Sequence, residues 1–290
     1  MLLILSPLIS VIQINIKMAD DKEVLREIWE GRLPVCFNLS PGDVTTVEPP
    51  EPCYLLVPRM TYFPLVTDKV FRHFQKASNQ DNIDDMWLEF DGQPLKWHLP
   101  IGALFDLYGP EVLPWNITVH FKKFPEKEIL KCIGREAVEA NFMSAVKEAD
   151  SLKHRSYVMN SMKKNDHKQL WLGLSNDKFD QFWSVNKRLM ERVNNEPFRY
   201  VPLRIHFSDG SMVQKVFKTV SNQSELHTFG ELLQKCVPYI MVDEESSTEL
   251  SSDWKVLVQG LTPPLVTPVQ WMSEHLSYPD NFLHIIVLQS

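Results

Sequence analysis

The chain has 290 residues, 44% of them hydrophobic and 11% aromatic, and is long enough to bury the cores of two or three modules. Its 30 basic and 37 acidic side chains give a net charge of −7, which argues against an extended cationic surface for nucleic acid. Four scattered cysteines without a C-x-x-C pair are typical of a protein in the reducing cytoplasm.

The N-terminus begins with an apolar stretch, residues 1–17, that has no basic start and is too short to cross a bilayer. We expect it to be an apolar N-terminal extension that is not native to the folded protein. Residues 18–33 predict an N-terminal helix. Its apolar face consists of Val24, Leu25, Ile28 and Trp29.

Residues 34–122 predict a ubiquitin-like domain. The strands "PVCFNL" and "CYLLVP" come first, on either side of an acidic, proline-rich loop. The helix "TDKVFRHFQKAS" follows, and then the strands "MWLEFD" and "PLKWHL", the short helix "IGALFDLYG" and the closing strand "WNITVHF". This order, β-β-α-β-β-α-β, is that of the ubiquitin-like β-grasp.

Residues 196–290 repeat the same order. "FRYVPLRIHF" and "MVQKVFKTV" predict a hairpin around the turn "SDGS", and "ELHTFGELLQKC" predicts the helix. The strand "WKVLVQG", a short return strand within "LTPPLVTP", the helical turn "VQWMSEHLS" and the strand "NFLHIIVL" complete the copy. We therefore predict an α+β fold in which two ubiquitin-like β-grasp domains flank a helix-rich domain.

The helix-rich domain corresponds to residues 123–195. The apolar stripe of its first helix consists of Val138, Phe142, Ala145, Ala149 and Leu152. At about 100° per residue the stripe centres near about −40° from Phe142, whereas Lys147 lies near about 140°. The Lys147 side chain is therefore predicted to face solvent, a position that by itself is most often occupied by a lysine serving solubility.

Motifs for catalysis are missing from the sequence. It contains no nucleotide-binding glycine loop, zinc-protease helix or serine-hydrolase elbow, and its nine histidines form no pair at metal-ligand spacing. We therefore expect no catalytic residue, no cofactor and no metal. The alternative is a thiol hydrolase that uses Cys36, which is more typical of a core residue, or Cys132, whose pKa the adjacent Lys131 can lower.

Four long blocks resemble the autophagy protein 5 family, and the similarity runs from Met18 to the C-terminus. They are "PWNITVHFKKFPEKEIL", "FMSAVKEADSLKHRS", "NDHKQLWLGLSNDKFDQFW" and "WMSEHLSYPDNFLHI". The resemblance implies a non-enzymatic subunit with two ubiquitin-like domains around a helix-rich domain. It also implies that the ubiquitin-like autophagy protein 12 is joined by an isopeptide bond to Lys147.

Further partners are implied by the same resemblance. The N-terminal amphipathic helix of autophagy protein 16 is expected in a groove between the three modules. E1-like and E2-like autophagy enzymes carry out the conjugation, and the complex then acts like an E3 in the transfer of Atg8-type modifiers to phosphatidylethanolamine. We expect a cytoplasmic protein recruited to the preautophagosomal (phagophore) membrane indirectly, through its complex. The alternative is a ubiquitin-like module that binds partners without a conjugated lysine.

Overall fold

The computed structural model describes residues 22–192, 196–221, 225–243 and 245–290. The predicted apolar extension and the first residues of the predicted N-terminal helix lie outside these ranges. Helix α1 spans Lys22–Glu30 and buries Leu25 and Trp29. Strand β1 begins at Arg32, inside the segment predicted as helical, because Arg32 is already paired with Pro58 in the first sheet.

The first domain is a β-grasp, as predicted. Its five-stranded sheet has the order β2-β1-β5-β3-β4, with β1 and β5 parallel and the other pairs antiparallel. The strands are β1 (Arg32–Leu39), β2 (Cys53–Pro58), β3 (Trp87–Phe90), β4 (Gln93–Pro94) and β5 (Trp115–His120). The predicted strand "PLKWHL" is wrong beyond Pro94, because the chain turns at Trp97 and His98. The helices are α2 (Phe63–Val66), α3 (Asp68–Ser78) and α4 (Ile101–Tyr108). Val70 and Phe74 of α3 share a core with Phe37 and Trp115 of the sheet.

The middle region is helical, as predicted. Its helices are α5 (Gly134–His154), α6 (Tyr157–Ser161), α7 (Lys164–Ser175) and α8 (Phe179–Met190). Helices α7 and α8 approach closely at Gly173, where an added Cβ would lie 2.5 Å from the backbone nitrogen of Phe182, so the position requires glycine. None of the helices in the described ranges is both long and apolar enough to cross a membrane.

The second domain repeats the β-grasp with a four-stranded sheet of order β7-β6-β9-β8. Its elements are β6 (Val201–Phe207), β7 (Met212–Phe217), α9 (Phe229–Cys236), β8 (Trp254–Leu257), α10 (Val269–His275) and β9 (Leu283–Gln289). The predicted return strand within 261–268 is wrong. A single bridge joins Val258 and Leu261 there, because Pro263 and Pro264 have no N–H group to extend the ladder.

The three modules share one core. Trp29 of α1, Ala103 of α4, Phe142 of α5 and Ile286 of β9 belong to the same buried cluster. Helix α4 of the first domain lies against β9 of the second. At this contact a Cβ added to Gly102 would meet the Tyr278 hydroxyl at 2.5 Å, so the two domains pack with almost no space between them.

Candidate functional site

Lys147 lies on the solvent-exposed side of α5, as the sequence predicts. Phe142, Val146 and Ala149 of the same helix are fully buried. The residues about one turn away on the exposed side are Ser144 and Ser151, both solvent-exposed. Their short side chains leave the amine of Lys147 open to approach from solvent.

The buried face of α5 is wider than the predicted stripe. Val146 and Asp150 are buried, whereas Leu152, a predicted stripe member, is only partly buried. The reason is that α5 packs on two sides. Phe142 contacts Trp171 of α7 at 6.2 Å between ring centroids, and Ala145 and Ala149 form a small buried cluster with Phe282 of the second domain.

A hydrogen bond next to Lys147 ties α5 to the second domain. Gln214 of β7 donates from Nε2 to Glu148 Oε1 at 2.6 Å. The Lys147 side chain makes no hydrogen bond or ion pair with any residue in the described ranges. The structure therefore fixes the helix that carries the lysine and leaves the lysine side chain free.

A second lysine of α5, Lys153, was missed by the sequence analysis. It is 3% exposed, and its Nζ lies 3.2 Å from Met190 Sδ and 4.8 Å from the centre of the Phe198 ring. Burial lowers the pKa of Lys153 to about 7, although Glu274 and other carboxylates act in the opposite direction. The sequence does indicate this burial. The helical angles that place Lys147 opposite the apolar stripe place Lys153 at about 20° from Phe142, beside that stripe.

The two candidate thiols lie in different settings. Cys36 is buried in β1, with Asn38 as its polar partner. Cys132 is partly buried, and burial together with the negative charge of Asp84 raises its pKa to about 11. The expectation that Lys131 lowers this pKa is wrong, because the Lys131 ammonium is bound to Asp85 at 2.6 Å. Neither cysteine has a histidine as hydrogen-bond partner within the described ranges, and those residues also hold no cluster of three or more metal ligands.

Helix α1 joins the helical region to the first domain. Asp180 of α8 binds Lys22 at 2.8 Å and Arg26 at 2.9 Å, and these bonds lower the pKa of its carboxyl group. Trp29 packs against the rings of Phe179 and Phe182, with centroids 6.0 and 5.0 Å away. The predicted N-terminal helix is therefore part of the surface where all three modules meet.

A small cavity of about 30 Å³ lies at this meeting point, and we call it the junction cavity. Its lining comes from α1, from Met60 of the first domain, from α8 and from residues 274–279 of the second domain. Five buried polar atoms of the lining lack a hydrogen-bond partner: Trp29 Nε1, Asn186 Oδ1, Glu274 Oε2, His275 Nε2 and the Tyr278 hydroxyl oxygen. Burial raises the pKa of Glu274. The junction cavity thus combines apolar walls with unused polar groups.

The architecture defines a class: a protein of ubiquitin-like fold in which two β-grasp domains and a helical bundle share one core. Family profiles agree with this division. The chain matches "Autophagy protein ATG5, UblA domain" over residues 28–121, the "alpha-helical bundle region" over 135–192 and the "UblB domain" over 200–287.

Full-length relatives support the same assignment. Autophagy protein 5 of Drosophila melanogaster is 44% identical over 275 residues, covering 93% of this chain and 98% of that protein. Autophagy-related protein 5 of Caenorhabditis elegans is 31% identical over 274 residues, with coverage of 92% and 98%. The crystal structure of Kluyveromyces marxianus Atg5 has the same fold, with a TM-score of 0.76 at 20% identity over 91% of this chain and 99% of that chain. The chain belongs to the autophagy protein 5 family.

Proposed function

We propose that Lys147 is the acceptor of an isopeptide bond to the C-terminal glycine of autophagy protein 12. The observation that supports this most directly is the free Lys147 side chain on α5, which packs against both the helical region and the second domain. A lysine presented on a firmly packed helix can be brought to a partner enzyme in a reproducible position, and such positioning lowers the barrier of a bimolecular reaction.

The chemistry of the proposed step is acyl transfer. The modifier arrives as a thioester on an E2-like enzyme after activation by an E1-like enzyme. The neutral amine of Lys147 attacks the thioester carbonyl, so that a C–N bond forms, the C–S bond breaks, and the enzyme thiol leaves while the amine loses a proton. No group in the described ranges forms a hydrogen bond or ion pair with the Lys147 side chain, and in this proposal the enzyme supplies proton removal. In this proposal the chain is a non-catalytic subunit.

The partner helix of autophagy protein 16 is proposed to bind where the three modules meet. The apolar walls and unpartnered polar atoms of the junction cavity support this placement, because an amphipathic helix needs apolar anchors with polar groups around them. The assembled conjugate then acts like an E3 and promotes transfer of Atg8-type modifiers to phosphatidylethanolamine. We place the protein in the cytoplasm and, through this complex, at the phagophore membrane.

The conjugation is tested by the size of the protein in cells. The wild-type chain should run mainly as a heavier, conjugated species, and this species should be lost in Lys147→Arg, which keeps the positive charge. Lys164→Arg is the matched control, because Lys164 is also an exposed helical lysine. An unchanged heavy band in Lys147→Arg would refute the proposal.

The heavier band and its loss in Lys147→Arg also separate the proposal from the alternative, a module that binds only non-covalently. Binding of the partner helix is tested by a second measurement. Lys147→Arg should still co-purify with the autophagy protein 16 helix, since the junction cavity and Lys147 involve different residues. Indirect recruitment is tested by liposome flotation of the unconjugated chain, which we expect to stay in the aqueous fraction. Strong flotation of the bare chain would contradict recruitment through partners.

A further inference from the structure

A second cavity, larger than the junction cavity, lies beside the first domain. It has a volume of about 90 Å³, and we call it the linker cavity because the segment 124–135 forms one of its walls. The opposite wall comes from α2, α3 and the β3–β4 region of the first domain. The apolar residues that line it include Phe63, Met86, Trp87, Trp97, Phe124 and Ile129.

Side-chain contacts hold the linker over this cavity. Trp97 donates from its indole nitrogen to the Leu130 carbonyl at 2.8 Å, and Lys131 binds Asp85 at 2.6 Å. The backbone N–H of Gly134 donates to Asp84 Oδ1 at 3.1 Å. Because these three bonds attach the linker to the first domain, the cavity between them is part of the folded structure.

The linker cavity offers few hydrogen-bond partners to a water molecule. None of its described lining residues has a buried side-chain nitrogen or oxygen without a hydrogen-bond partner, whereas the junction cavity has five such atoms in a third of the volume. A buried water needs two to four polar partners, and cavities lined by apolar groups stay dry and take up apolar molecules. The two cavities therefore differ in the hydrogen-bonding groups that they offer to an occupant.

We propose that the linker cavity is a binding site for a compact, uncharged apolar ligand, either aromatic or branched aliphatic. An apolar cavity of roughly 150 Å³ in another protein holds benzene. The linker cavity has a volume of about 90 Å³, so its ligand can be no larger than benzene. Of the charged lining residues, Asp84 already accepts from the Gly134 N–H, and the other two, Asp68 and Arg135, have opposite signs, so the lining favours an uncharged ligand. The proposal does not depend on conjugation at Lys147.

Benzene is the probe, and the melting temperature of the full chain is the first measurement. At ten times its dissociation constant, benzene should raise the melting temperature of a chain of this size by about 2 °C. Cys132→Met places two more heavy atoms in the cavity and should weaken benzene binding at least tenfold. Cys53→Met is the matched control, because Cys53 is also partly buried but lies on β2, outside the cavity, and it should keep the full shift.

Alkylation of the wild-type chain gives a second readout that does not need a variant to fold. Cys132 lines the cavity, so benzene should slow its alkylation by iodoacetamide at least tenfold and leave the rate at Cys53 unchanged, as followed by mass spectrometry. Selective protection of Cys132 supports the site. The absence of a thermal shift, an equal shift in Cys132→Met, or equal protection of both cysteines would each overturn it.

Discussion

The two β-grasp domains share a core strand order but use the outer faces of their sheets in different ways. On the first sheet, Tyr54 and Leu56 are each 67% exposed. On the second, His206 and His284 are no more than 2% exposed, because helices α4 and α5 lie against that sheet. The alternation along a strand determines which side chains lie on the outer face of the sheet. The neighbouring modules determine whether that face is exposed to solvent.

In each domain a histidine of the sheet is paired with a carboxylate, and the two pairs differ in their burial. In the second domain His284 Nε2 lies 3.0 Å from Asp280 Oδ2, and Arg204 donates to the same oxygen at 2.7 Å. In the first domain His120 Nε2 lies 2.9 Å from Glu89 Oε2, but these side chains are 17% and 26% exposed. Burial alone would raise the pKa of Asp280, yet His284 and Arg204 hold it below its usual value.

Removing the buried carboxylate of Asp280 should give the largest change in the free energy of unfolding. Asp280→Ala leaves Arg204 and His284 buried without their acceptor, and we expect a loss of about 3–5 kcal/mol in the free energy of unfolding. Glu89→Ala removes the more exposed counterpart and should cost about 0–1 kcal/mol. Urea denaturation at neutral pH measures both. Equal losses would show that burial against the neighbouring modules does not distinguish the two sheets.

A pH series on Lys153 examines the charge buried beside the second domain. The folded pKa of about 7 lies below the ordinary lysine value of 10.5, so the unfolded chain binds more protons between these pH values and stability rises with pH there. Lys153→Met removes this dependence and should be more stable than the wild type at pH 7, by about 1–4 kcal/mol.

The advantage of Lys153→Met should shrink as the pH rises from 7 towards 10, because the folded wild-type lysine loses its proton over this range and no longer carries a buried charge. Lys147→Met on the exposed side of the same helix is the control, and its stability difference should not change over this range. A constant advantage for Lys153→Met would mean that a folded lysine with an ordinary pKa occupies this site.

The smallest change in the free energy of unfolding is expected for a truncation on the solvent-exposed face of the first sheet. Leu56→Ala should change the free energy of unfolding by less than about 0.5 kcal/mol, because the side chain already lies in water. The same kind of truncation at Ile286, which is 1% exposed on the outer face of the second sheet, should cost about 2–5 kcal/mol. A large loss at Leu56 would reveal a contact that covers the first sheet.

Local sequence patterns predicted most of the fold. Alternating apolar residues located the main strands of both sheets, and helical periodicity placed Lys147 on the exposed side of α5. Thr228 begins α9 as predicted, and its hydroxyl oxygen accepts from the N–H of Glu231. These features depend on neighbours within a few residues, and such neighbours are visible in a single sequence.

What the sequence did not provide depends on residues far apart in the chain. Lys131 binds Asp85, 46 residues away, so its effect on Cys132 could not be judged from adjacency. His206 and His284 have the alternation of solvent-facing strand residues, and only the packing of the modules buries them. The junction cavity combines side chains from all three modules, and no single segment predicts it.

The buried Asp280 also has a consequence for the order in which the protein can finish folding during synthesis. The ribosome releases α5 and the first domain well before Asp280 and strand β9 exist. At about 5–20 residues per second this delay is on the order of ten seconds. Throughout that time α4 and α5 lack the sheet that covers them, so the nascent chain presents an apolar surface that the completed protein never shows.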